Sequence, residues 1–148
     1  MKSLRHPAVR EAVLRRIDRV GPNSVRKFGT MTPEQMLAHL VESMRMATGE
    51  LAVKPKKKTP LRWFPLKQLA IYVAPIPRLL PTALELLPEE SLAIDESKKE
   101  LRRLLAEFSD AGAVRPLPPH PAFGRLGSHP WGVLMLRHLD HHLRQFGV

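Results

Sequence analysis

The sequence contains no cysteine. This excludes disulfides, thiolate metal sites and a cysteine nucleophile, and leaves histidine and carboxylate as the available metal ligands. It also suits a reducing compartment. Long apolar runs are missing too. The most apolar region, LKQLAIYVAPIPRLLPTALELLP, is broken by Lys67, Arg78 and several prolines, well short of the roughly 20 apolar residues that span a bilayer. The opening segment MKSLRHPAVREAVLRRIDRV carries charge every few positions and never becomes the apolar stretch of a secretory signal. The expected location is therefore the cytoplasm. Carboxylates are scarce, with 14 Asp and Glu against 24 Lys and Arg, a formal charge of +10. Such a surplus attracts polyanions, so nucleic acid and an anionic membrane surface are both partners to consider. Its densest run, Lys54, Lys56, Lys57 and Lys58, lies in a proline-containing stretch with Trp63 and Phe64 close behind. A solvated loop and a binding patch both fit that pattern.

What is present reads as one domain over 1–148, with 43% hydrophobic residues to build a core. Residues 7–20 place Val9, Val13, Leu14, Ile17 and Val20 on one face with arginines opposite, an amphipathic helix stopped by Gly21 and Pro22. Thr32-Pro33-Glu34-Gln35 is a second start signal, in which Thr32 caps, Pro33 suits the first turn and Gln35 completes a capping box. That helix is expected to run to about Gly49, burying Met36, Leu40, Ser43, Met44 and Ala47, with His39 on the border of the stripe. Residues 50–90 hold many of the 15 prolines and read as a long crossover with short helical pieces at 65–73 and 81–87. A third long helix is expected over 91–109, capped by Ser91 or Asp95, with Leu101, Leu104, Leu105 and Phe108 at helical spacing and Gly112 ending it. AVRPLPPHPAFGRLG is a proline-rich loop, after which Ser128 is placed to cap a last helix from 129 to about 146. With no repeat and no convincing alternating strand, the expected class is all-α, a helical bundle.

Three of the seven histidines fall in RHLDHHLRQF near the C-terminus. At about 100° per residue, His138 and His142 lie about 40° apart, one turn above the other, on the face of Trp131 and Met135. His141 is turned about 60° the other way, toward Arg137, Asp140 and Arg144, and should sit nearer solvent. Imidazoles at i and i+4 can share one metal ion. The best third ligand is His39, because His6, His120 and His129 lie at helix ends or in loops. The plainer reading is that the pair is polar surface and that His39 is a core histidine bonded to a carbonyl. HExxH, the specific metalloprotease motif, is absent, so spacing alone leaves both readings open.

The pattern His-x-x-His-His-x-x-Gln, met as His138, His141, His142 and Gln145, resembles the last helix of the DinB-like superfamily of metal-binding four-helix bundles. MTPEQMLAHLVESM resembles that family's second helix, where a ligand falls at His39. The closing HPAFGRLGSHPWGVLMLRHLDHHLRQFGV is more similar still to one uncharacterised branch, in which HP-FG, WG and HLDHHLRQFG occur together. The resemblance implies a four-helix bundle with a long crossover between the second and third long helices. It also implies a divalent nickel, zinc or manganese ion on His39, His138 and His142, open positions for water or substrate, and a homodimer. Characterised relatives include transferases and isomerases that use low-molecular-weight thiols. The basic, proline-rich 54–87 segment departs from the family pattern.

Three neutral imidazoles leave the ion's charge on its open positions, where the pKa of a water or thiol moves toward about 7. No carboxylate is placed as a base, since Asp140 and Glu42 should point away. Ser43 and Gln145 are candidate hydrogen-bond partners, and His141 is either a proton carrier or a plain surface group. Trp131 and Met135 either pack against the ligands or touch substrate. The competing function is a non-catalytic module that docks nucleic acid or anionic lipid through the basic segment 54–67 and holds a structural metal.

Overall fold

Two prolines start the first two helices. In the computed structural model, α1 (Pro7–Asp18) and α2 (Pro33–Thr48) each open on a proline, at a position whose amide hydrogen would have no helical acceptor. The structure describes residues 1–55, 59–75, 86, 93–114 and 116–148, and of 111–114 only the backbone. After α2 come a 3-10 turn at Pro60–Arg62, then α3 (Leu66–Tyr72), α4 (Ile94–Val114) and α5 (Ser128–Arg144). The described residues are all-helical, with five α-helices and no strand; a lone bridge pairs His120 with Gly124. Among them no helix is long and apolar enough to cross a membrane.

The capping box of α2 forms as expected. Thr32 Oγ1 accepts from the Gln35 amide at 3.2 Å and Gln35 Oε1 accepts from the Thr32 amide at 2.9 Å. The expected stripe of Met36, Leu40, Ser43, Met44 and Ala47 is buried, but so are Leu37, Ala38, Val41, Met46 and Thr48. The reason is tertiary: α2 packs against both α4 and α5 and is covered on more than one side, while α1 packs against the same two helices. From α1 the core takes Val13, Leu14 and Ile17; from α4 it takes Leu101, Leu104, Leu105 and Phe108. Each such side chain contributes about 1.5–3 kcal/mol when fully buried.

Several boundaries differ from the sequence expectation. α1 stops at Asp18, and Arg19 and Val20 bond back to Arg16 and Ile17 in a closing turn. Asp95 lies inside the first turn of α4, and its cap position falls to Ala93, whose carbonyl accepts from the Ser97 amide; Ser91 lies outside the described residues. Gly112 does not end α4, which continues to Val114. One glycine inside a helix costs only about 1 kcal/mol, and Ala111 and Ala113 on either side of it are strong helix formers. Ser128 is the first residue of α5 rather than its cap, a place taken by Gly127. The piece expected over 65–73 is α3, whereas 81–87 lies outside the described residues except for Leu86.

Two docking contacts position the elements around α5. The N-terminal segment crosses α5 at Gly132, where the Leu4 amide donates to the Gly132 carbonyl at 3.2 Å. A Cβ on Gly132 would lie 2.2 Å from Ser3 Oγ, which explains why glycine follows Trp131. On the other side α3 buries Ile71 against Phe123 and Val133. The Arg137 guanidinium donates to the carbonyls of Ala70 and Ala74, and Lys67 Nζ donates to the Arg125 carbonyl at 2.7 Å. Arg45 and Arg103 join α2 to α4 through Glu42, Glu50, Glu100 and Glu107. Arg103 above all, together with Arg45 and against the opposing effect of burial, holds the Glu100 carboxyl down at about 2.

Candidate metal centre

His39, His138 and His142 offer one nitrogen each, and the three atoms lie within 4.8 Å of one another. α2 supplies the first and α5 the other two, across the face where these helices pack. His39 and His142 are buried, at 2% and 8% exposure. His138 is half-buried.

Hydrogen bonding selects which nitrogens face inward. His39 Nδ1 donates to the Leu86 carbonyl at 2.9 Å, which puts its proton on Nδ1 and leaves Nε2 as a free lone pair. His142 Nδ1 stands 2.9 Å from Gln145 Oε1, and donating there leaves its Nε2 free in the same way. Such outer bonds are how metal-binding imidazoles are fixed in tautomer and orientation. His39 Nε2 and His138 Nε2 are 3.1 Å apart, close to the roughly 3.3 Å that two nitrogens subtend on a tetrahedral ion with bonds of about 2.0–2.1 Å. Among the described residues the donor set is all imidazole, which fits a borderline divalent ion such as zinc or nickel.

Gln145 is itself held in place. Its carbonyl accepts from the Lys27 amide, and Gly29, at φ +81°, lies so close that a Cβ there would sit 2.6 Å from Gln145 Nε2. The loop between α1 and α2 therefore closes on Gln145 only because this position carries no side chain and tolerates a positive φ. From the same loop the Phe28 ring meets His141, 5.6 Å between centroids, and His141 also abuts His142 at 5.2 Å. Ser43 Oγ donates to the His39 carbonyl at 2.8 Å and stands 3.2 Å from His138 Nε2, so the lone pairs of Ser43 face the cluster. Trp131 and Met135 are buried in the core, with Trp131 Nε1 donating to the Pro118 carbonyl at 3.0 Å. Asp140 pairs with Arg16 and Arg144, and Glu42 with Arg45, so neither carboxylate is aimed at the histidines.

One histidine set aside as a loop residue lies near the cluster. His120 Nδ1 accepts from the amides of Ala122 and Phe123 at 3.1 and 3.3 Å, its ring packs 5.1 Å from Trp131, and its charge is felt at His138. The sequence signals were the HP-FG motif, which contains His120 and Phe123, and the WG motif, which places Trp131 two turns before His138 on one face of α5.

Burial lowers all three cluster histidines. It outweighs the Leu86 bond at His39, joins the charges of His142 and His39 to push His138 well down, and brings His142 to about 4 despite Gln145. An unfolded histidine titrates near 6.5, so between that pH and about 4 the unfolded chain binds protons that the metal-free fold excludes. The metal-free protein should accordingly keep its full stability above pH 6.5 and lose roughly 3 kcal/mol through His142 alone as the pH falls to about 4. Urea unfolding of chelator-treated protein at a series of pH values checks this; a flat stability between pH 7 and 5 would contradict the buried neutral cluster.

A family model described as "Protein of unknown function (DUF1569)" matches residues 1–147. The chain belongs to the DUF1569 family. Neither a curated protein nor a solved structure matches it. Membership therefore covers both helices that carry the cluster, and assigns no activity.

Proposed function

We propose that this DUF1569 chain is a cytoplasmic, homodimeric, DinB-like four-helix bundle that holds one nickel, zinc or manganese ion through His39, His138 and His142, and serves a transferase or hydrolase reaction with a small thiol. The observation that carries this reading is the convergence of three imidazole nitrogens within 4.8 Å, two of the rings being anchored on Nδ1 by Leu86 and Gln145. Support for the bundle comes from the mutual packing of α1 and α2 with α4 and α5, and from the long connection between α2 and α4. A bound divalent ion supplies Lewis acidity to a coordinated oxygen or sulfur. Residues of the chain supply the remainder. Anchored Nδ1 protons keep His39 and His142 in one tautomer. Ser43, its own proton given to the His39 carbonyl, offers acceptor lone pairs beside His138. In this reading, with Asp140 and Glu42 engaged elsewhere, His141, whose ring abuts His142, is the proposed proton carrier.

Elemental mass spectrometry on untagged protein tests the reading. Near-stoichiometric metal is expected in the wild type, at least about a hundredfold weaker binding in His142→Ala, and about 10–100-fold weaker binding in Gln145→Leu, which removes the acceptor but little volume. Metal-free wild-type protein after loading would end the proposal.

A further inference from the structure

Large apolar side chains left in water are concentrated in one stretch. Trp63 is 73% exposed and Phe64 82%, and Leu66 and Leu69 of α3 and Val73 at its C-terminal end are exposed as well. At about 100° per residue these last three fall within an arc of about 60°, opposite the buried Ile71. Among the described residues α3 is therefore apolar on both faces, one packed on the protein and one exposed. It is not loosely attached, since Arg137 and Lys67 tie it to α5 and to the turn at 125.

Charge decides what that face accepts. None of the 14 carboxylates falls among the described residues 51–55, 59–75 and 116–139, which hold the exposed turn, α3 and the parts of α5 and its preceding loop that α3 packs on. Residues 51–84 carry seven Lys and Arg, with Lys54, Lys56, Lys57 and Lys58 just ahead of Trp63 in the sequence. A second copy docked on the same face would bring like charges together, because a two-fold interface repeats the same residues. A nucleic acid would use the cations and Trp63, but has no use for Leu66, Leu69 and Val73. Tryptophan, aliphatic side chains and lysines beside a carboxylate-free surface are the set that an anionic bilayer interface takes up. We propose that the Trp63-Phe64 turn and the outer face of α3 form a docking surface for an anionic lipid membrane. α3 packs directly on α5, so docking would hold the helix bearing His138 and His142 near the bilayer.

The test is co-sedimentation with vesicles of phosphatidylcholine containing about 30 mol% phosphatidylserine, against pure phosphatidylcholine. Trp131 is already buried, so a blue shift in emission reports Trp63. The expected result is binding to the anionic vesicles only, weakened by salt, with a blue shift. W63A/F64A and Val73→Glu should each lose about tenfold or more in affinity while their thermal melts stay unchanged, because these positions are outside the core. Failure of the wild type to bind anionic vesicles, or equal binding by both variants, overturns the proposal. It is also overturned if light scattering shows W63A/F64A breaking a wild-type dimer, or if a single-stranded oligonucleotide binds through Trp63 and displaces the vesicles. None of these readouts depends on the metal.

Discussion

Excess zinc or nickel added to the metal-free protein should raise its thermal midpoint by about 8–16 °C. A ligand that binds only the folded state stabilises it by about 4 kcal/mol at a thousand times its dissociation constant, and each kcal/mol moves a domain of about 150 residues by about 2–4 °C. The folded state is favoured because only folding brings His39 of α2 against His138 and His142 of α5, with Nε2 atoms 3.1 Å apart across the pair. In the unfolded chain the i, i+4 pair remains nearby, but the third nitrogen is about 100 residues away in sequence and joining it costs loop-closure entropy. His39→Ala should therefore abolish most of the shift while leaving the helical pair intact. A shift of the same size in that variant would place the ion elsewhere, and no shift in the wild type would reduce the cluster to packing.

Trp131→Ala should cost about 3–5 kcal/mol, read as a fall in the urea midpoint at constant slope. The side chain is fully buried, and its loss also strands the Pro118 carbonyl to which Nε1 donates. Trp131→Phe restores much of the volume but not that bond, and should lose about 1–2 kcal/mol. Stability that survives Trp131→Ala while metal or substrate binding changes would instead make Trp131 a wall of the site.

The helices were legible because their information is local. Thr32 and Gln35 carry their capping partners within one turn. Leu101, Leu104, Leu105 and Phe108 repeat at the helical period and are all buried. The geometry that stacks His138 over His142 follows from 3.6 residues per turn, and the membership of residues 1–147 in one family adds no residue to the cluster that spacing had not raised.

What was not legible depends on residues far apart in the chain. Periodicity put His39 on the border of a stripe; the Leu86 carbonyl, 47 positions later, decides its tautomer. His120 lies in a proline-rich loop whose neighbouring residues do not say that it folds back on Trp131. Gly112 carries the local signal of a helix stop, but an isolated glycine is too weak to override a continuing helix. On its own, then, the sequence determined the helical class, the capping box of α2 and the paired histidines of α5, since each is settled within a turn or two of backbone. Only the tertiary structure decided that α2 is buried on several sides, that Gln145 is pinned by Gly29, and that α3 turns an apolar face outward, because each is set by which distant segment covers which face.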